Sequence, residues 1–200
     1  MRGKAMSDIV SHLESNGIDF SKLKALEFFA RKGDWHTQSY CNKVASINAW
    51  EIDKVFEEEL KKNLSMATVA IGDSFTLAKE DKYEHLFDFI VFDNPQGVYG
   101  EYCERFECID FVPHLIKKQG GLVVFNINRT PFNYDKDSIW GKRRAEYYGQ
   151  DASDLKAGFL LNFYEHKFSC LGFNTEFSFE KKRNEEYLSY LIFYLRIKSY

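Results

Sequence analysis

Residues 87–95 read Phe-Asp-Phe-Ile-Val-Phe-Asp-Asn-Pro. A strand covered on one face alternates apolar with polar. This run is apolar at five of its first six positions and then stops at turn formers, the pattern of a short strand buried on both faces. Such strands lie in parallel sheets with helices on either side. Parallel neighbours need long crossover connections, so the same unit should recur along the chain.

It does recur in both directions. Upstream, residues 23–30 form a compact apolar run closed by Arg31-Lys32-Gly33-Asp34, residues 44–50 a second closed by Glu51-Ile52-Asp53, and residues 67–71 a third closed by Gly72-Asp73-Ser74. Downstream, residues 122–126 follow Gly120-Gly121. Between them lie helical spacings. Residues 7–18 put Ile9, Val10 and Leu13 on one face. Residues 53–64 put Val55, Phe56, Leu60 and Leu64 on one face, with Asp53 at the N-cap. A third helix is expected over 101–118 and a fourth over 153–171, through Leu155, Phe159, Leu160 and Phe163. Residues 173–179 and 187–197 read as a closing strand pair around Lys181-Lys182-Arg183-Asn184. The expectation is one α/β domain over 1–200: a doubly wound, mostly parallel seven-stranded sheet whose last strand inserts antiparallel. Residues 1–20 supply an N-terminal helix. Residues 128–150, polar, aromatic and basic without a clean period, form a lid or insert.

Composition agrees. The chain is 44% hydrophobic with 19 Phe, 12 Tyr and 3 Trp, and has only 3 Pro, which excludes a disordered linker protein. A formal charge of −3 gives no reason to expect a nucleic-acid partner. The four cysteines form no C-x-x-C, which argues against zinc and for reduced thiols in the cytoplasm. No apolar run reaches the roughly 18 residues of a membrane span, and the first residues show no signal-peptide pattern. The five residues ahead of Met6 read as a leader.

In an open α/β sheet, ligands sit beyond the carboxyl ends of the strands. Acidic groups stand at those ends. Glu51, 24 residues after Glu27, is where a carboxylate can take both hydroxyls of a ribose, and Asp73 is in reach of an adenine amino group. The plainer alternative, that these residues cap the following helices, carries equal weight for any one of them.

The stretches 26–33, 50–53, 71–74 and 87–93 together resemble the class I S-adenosylmethionine-dependent methyltransferases, a Rossmann-like superfamily of which this chain is identified as a divergent member. The motifs cover about residues 22–127, and element order covers the rest. The resemblance implies S-adenosylmethionine as cofactor. It places Glu27 and the Gly33-Asp34 loop near the methionine moiety, Glu51 on the ribose, Ile52 against adenine, Asp73 and Ser74 at the adenine edge, and Asp93-Asn94 at the transfer site. Phe29 and Arg31 stand where the family carries its first two glycines.

The stretch 93–97, Asp-Asn-Pro-Gln-Gly, partly resembles the Asn-Pro-Pro-Tyr motif of amino methyltransferases, with Tyr99 two places further on. It also resembles the gate loop of aminopropyl-transferring polyamine synthases, and a plain Pro/Gly turn is the third possibility. His36 is the histidine in a site loop, able to act as a base or to donate a hydrogen bond. The substrate-binding candidates are Tyr99 and, in the insert, Arg129 and Trp140. They suit an acidic small acceptor, with an interaction surface as the alternative reading. No metal site is expected. The leading function is methyl transfer to an amine or oxygen acceptor. The alternatives are a non-catalytic ligand-sensing or partner-binding protein and an aminopropyl-type transferase. The lack of G-x-G-x-x-G after the first strand counts against a nicotinamide oxidoreductase.

Overall fold

The computed structural model describes residues 3–93, 106–131, 134–183 and 187–198. Its centre is a seven-stranded sheet of β1 (Lys24–Glu27), β2 (Ser46–Glu51), β3 (Ala67–Ile71), β4 (Phe89–Phe92), β5 (Gly121–Asn128), β6 (Phe173–Lys182) and β7 (Leu188–Ile197), in the order β3-β2-β1-β4-β5-β7-β6. Strands β1 to β5 pair in parallel, while β7 runs antiparallel to both β5 and β6. The expected doubly wound sheet is therefore present, with its reversed strand.

Strands β4 and β5 are buried at every position. The sheet separates two apolar layers. On one face, Ala25, Ile47, Phe89, Val91 and Val124 meet helix α1 (Lys4–Ser15) and helix α2 (Glu57–Asn63). On the other, Leu26, Trp50, Ile90, Phe92, Val123 and Phe125 meet α4 (Val112–Leu115), α5 (Ile139–Tyr148) and α6 (Ala157–Cys170). Strands β4 and β5 thus send alternate side chains into opposite layers, which is why their sequences show no polar face. Among the described residues, no helix is long and apolar enough to cross a membrane.

Two expected helices take other forms, and the insert holds a helix that was not expected. Asp53 caps as anticipated, accepting from the Val55 N–H at 3.0 Å. The chain then makes a 3-10 turn at Lys54–Phe56 before α2, and the tighter turn leaves Val55 exposed while Leu60 and Leu64 are buried. Within 106–118 the helix is broken into a 3-10 stretch and the short α4, where Pro113 occupies the first turn. The insert, read as having no period, contains α5. Its buried positions, Trp140, Arg144 and Tyr148, do recur every four residues, but the middle one is an arginine, and Gly141 lies against the Asp135 carbonyl, where a Cβ would come within 2.0 Å.

Candidate functional site

Strand β1 pairs with both β2 and β4, Glu27 lying beside Ala49 on one side and Val91 on the other. The strand order reverses here, so the carboxyl ends of β1 and β4 open the crevice where ligands of such sheets bind. Glu27 closes β1, Glu51 closes β2, Asp73 follows β3 and Asp93 follows β4. The sheet brings these four acidic residues to one edge.

Glu27 and Asp93 are joined by His36. The imidazole Nδ1 lies 2.6 Å from Asp93 Oδ2, and Nε2 lies 3.0 Å from both carboxylate oxygens of Glu27. Glu27 also accepts from the Thr37 hydroxyl at 3.1 Å and from the Tyr40 hydroxyl. Asp93 in turn accepts from the Tyr190 hydroxyl at 2.6 Å, from Arg183 Nη1 at 3.2 Å and from the Asn126 amide. His36 is 8% exposed and Glu27 is not exposed at all.

Burial alone would keep such an imidazole neutral, but the Coulombic pull of Asp93, then that of Glu27, outweighs it and holds the His36 pKa at about 10. For Asp93, burial opposes ionisation, yet the charge and hydrogen bond of His36, reinforced by Arg183 and Tyr190, bring its pKa down to about 2. With both nitrogens facing carboxylates, His36 is a doubly donating imidazolium. Of the two roles open to it in the sequence, donation is the one this geometry serves.

The loop after β1 is a tight turn closed by the Gly33 N–H on the Ala30 carbonyl at 2.8 Å. Arg31 sits at φ 47 and Gly33 at φ 63, both left-handed. A non-glycine residue there carries a steric cost, so Arg31 occupies a backbone conformation natural to glycine. Gly33 is needed for a second reason. A Cβ would lie 2.6 Å from Leu64 Cγ and 2.9 Å from Leu60 Cδ1, so this glycine serves the packing of the loop on α2. Phe29 turns against Phe28, with ring centroids 5.0 Å apart, and joins the core layer around it. Asp34 is exposed at the end of the turn.

Glu51 organises the neighbouring turn. Its Oε2 accepts from the Arg31 N–H at 2.7 Å and its Oε1 from the Asp53 N–H at 2.8 Å. Next to it, Ile52 is 67% exposed. Asp73 caps the one-turn helix α3 (Ser74–Leu77), accepting from the Phe75 N–H at 3.3 Å and the Thr76 hydroxyl at 3.0 Å. Ser74 is buried and donates to the Phe28 carbonyl at 2.7 Å. Capping is therefore a real duty of Asp73, while Glu51 pins the backbone of the loop after β1 and of the turn that leads to the Asp53 cap.

Of the candidates in the insert, Arg129 follows β5 and pairs through Nε with Glu180 at 3.3 Å. Trp140 is buried on α5 between Tyr134, at 5.7 Å, and the Arg144 guanidinium, at 5.5 Å. Arg144, fully buried, ties α5 to the sheet by donating to the Asn128 carbonyl at 2.6 Å and the Ala152 carbonyl at 2.9 Å. Asn94 and Tyr99, with the whole stretch 94–105, lie outside the described residues.

Sequence reading missed Tyr40, Asn126, Arg183 and Tyr190. Asn126 had a signal, an amide at the end of an otherwise apolar buried run. Arg183 falls in the expected hairpin turn, and Tyr190 is one aromatic among many in its strand. Their meeting at Asp93 depends on β7 returning beside β5, Tyr190 lying opposite Asn126.

The sequence matches no family model and no curated protein. Solved structures do match. A candidate methyltransferase of Escherichia coli, yhhF, superposes with a TM-score of 0.59 at 13% identity, covering 98% of this chain and 88% of that one. A candidate methylase of Haemophilus influenzae superposes at 0.57 with 16% identity, covering 96% and 99%. A candidate transferase of Pyrococcus horikoshii superposes at 0.56 with 13% identity, covering 96% of this chain and 64% of that longer one. In strand order, in the reversed β7 and in these superpositions, the chain has the fold of the class I S-adenosylmethionine-dependent methyltransferases.

Proposed function

We propose that the protein is a methyltransferase that uses S-adenosylmethionine and acts on a nitrogen or oxygen of a small acceptor. The observation that carries this reading is the pairing of Glu51 with Ile52 at the end of β2. A carboxylate has about four accepting lone-pair directions, and the two backbone N–H groups on Glu51 occupy one at each oxygen. Capacity for two ribose hydroxyls is left on a carboxylate already held in place. Beside it, the exposed Ile52 offers an apolar platform of the kind an adenine ring covers, and Asp73 stands at the next strand end. The residues present therefore fit an adenosine. Toward β4 the loop keeps the left-handed backbone of a glycine turn while Phe29 and Arg31 replace its glycines.

When bound, S-adenosylmethionine supplies a methyl group for in-line transfer to a nucleophile, a reaction that asks chiefly for positioning. Asp93, held by four donors and strongly acidic, works here as a fixed anion that orients the end of β4. His36, with both nitrogens committed, holds its protons. Neither is available to take a proton from the acceptor at neutral pH. The net charge of −3 supports a small acceptor over a polyanion, and the free thiols of Cys41 and Cys170 support a reducing, cytoplasmic setting.

Phe29 and Arg31 favour a second reading, a non-catalytic protein on the same fold whose cofactor loop has been repurposed. Titration calorimetry with S-adenosylmethionine and S-adenosylhomocysteine separates the two. Micromolar binding, weakened about tenfold or more in Glu51→Gln by the loss of charge-assisted hydrogen bonds, supports the methyltransferase. Silence up to millimolar ligand supports the second reading.

A further inference from the structure

The strand order sets the direction in which a cofactor would lie. Adenosine on Glu51 and Asp73 occupies the ends of β2 and β3, so the remainder of the molecule must extend over the end of β1 toward β4. Under that path lie Glu27 and Asp93, and what joins them is His36.

The join is a continuous buried chain: the Tyr40 and Thr37 hydroxyls on Glu27, Glu27 on His36 Nε2, His36 Nδ1 on Asp93, and Asp93 on Asn126, Arg183 and Tyr190. It unites the loop after β1 with β4, β5 and the β6–β7 hairpin. The charged groups facing one another are two carboxylates, the imidazole and the Arg183 guanidinium, so the chain is balanced. Hydrogen bonds to buried charged groups are short and directional, and such a network has one well-defined arrangement.

We infer that His36 is a positioning residue, whose ring ties the acidic residue closing β1 to the acidic residue closing β4 and thereby sets where the methionine half of the cofactor lies. This rests on the proposed use of S-adenosylmethionine. His36 does not touch the adenosine region at Glu51, so its loss should be felt by one half of a ligand and not by the other.

The test compares two ligands by calorimetry: S-adenosylhomocysteine, which carries the amino-acid half, and 5′-methylthioadenosine, which lacks it. In His36→Gln, affinity for the first should fall about tenfold or more, the scale of one charge-assisted hydrogen bond, while affinity for the second holds within about twofold. Because that variant leaves two buried carboxylates with one cation fewer, its stability is measured alongside. The charge-balanced double variant His36→Gln with Asp93→Asn should recover stability yet keep the selective loss. Equal losses for both ligands, or recovery of S-adenosylhomocysteine binding together with stability, would show that His36 only supports the fold and would overturn the inference. Wild-type protein that binds methylthioadenosine and S-adenosylhomocysteine equally well also overturns it, whereas wild-type protein that binds neither overturns the proposed function itself, and the inference with it.

Discussion

Tyr190 and Asp93 stand 97 positions apart, and the Tyr190 hydroxyl donates to Asp93 Oδ2 at 2.6 Å across the boundary between the parallel and antiparallel parts of the sheet. The last hairpin of the chain therefore serves as the back wall of the site at β4. Tyr190→Phe removes only the donor from a buried carboxylate, which should cost about 1–3 kcal/mol. Urea unfolding of the two proteins measures this. An unchanged midpoint would mean the hydroxyl carries no such bond.

The two extreme pKa values give opposite pH limbs. His36 rises from 6.5 in the unfolded chain to about 10 in the fold, so its stabilisation is complete below pH 6.5 and disappears as pH climbs to about 10. Asp93 falls from 3.8 to about 2, so its contribution is complete above pH 3.8 and disappears as pH drops to about 2. Stability from this network should thus be flat from about pH 4 to 6.5 and decline on either side. Denaturant unfolding as a function of pH checks both limbs, and His36→Gln should abolish the alkaline one.

Removing the imidazole altogether leaves Glu27 and Asp93 facing each other in a dry interior. His36→Ala should cost about 3–5 kcal/mol, the usual penalty for breaking a buried ion pair by deleting one partner. The pair's attraction does not by itself prove net stabilisation, since a well-packed apolar replacement of all members could do as well. The deletion isolates the cost of the unbalanced charge.

Gly33→Ala should be destabilising by about 1–3 kcal/mol, the range for overpacking. The new Cβ would sit 2.6 Å from Leu64 Cγ in a left-handed backbone at φ 63. Combining it with Leu64→Ala should cost less than the sum of the two single changes, because both act on one contact. Strict additivity in thermal or urea unfolding would remove the packing explanation.

Arg31→Gly should stabilise the protein slightly. A left-handed non-glycine residue pays about 1–2 kcal/mol, and glycine's extra unfolded-state entropy returns about 0.5–1 kcal/mol of that. A net gain of up to about 1.5 kcal/mol follows, read as a higher unfolding midpoint. A loss would indicate that the Arg31 side chain, 5.5 Å from the Phe56 ring, contributes more than its backbone costs.

Much of this fold was legible because strands buried on both faces write themselves as short apolar runs. β3 stands at residues 67–71 as read, and β4 and β5 differ at their ends by two residues or fewer. The helices were less legible where a buried position is polar, as with Arg144 in α5, or where a local turn overrides the period, as at Val55. At the candidate site, the acidic residues at strand ends were visible one by one. Their partners were not, because Asn126, Arg183 and Tyr190 reach Asp93 only through strand pairing across distant sequence. Glu51 and Asp73 showed the reverse difficulty: each has a backbone-binding duty, a pinned turn for one and a helix cap for the other, that the sequence could not separate from a ligand-binding one.

In the proposed complex an adenosine cofactor lies across the ends of β2, β1 and β4, and a crystal structure with S-adenosylhomocysteine would reveal it. The ribose hydroxyls should lie within hydrogen-bonding distance of Glu51, with the adenine over Ile52 and the amino-acid half above the Glu27–His36–Asp93 chain. A ligand bound elsewhere, or no ligand density from crystals soaked at millimolar concentration, would contradict it.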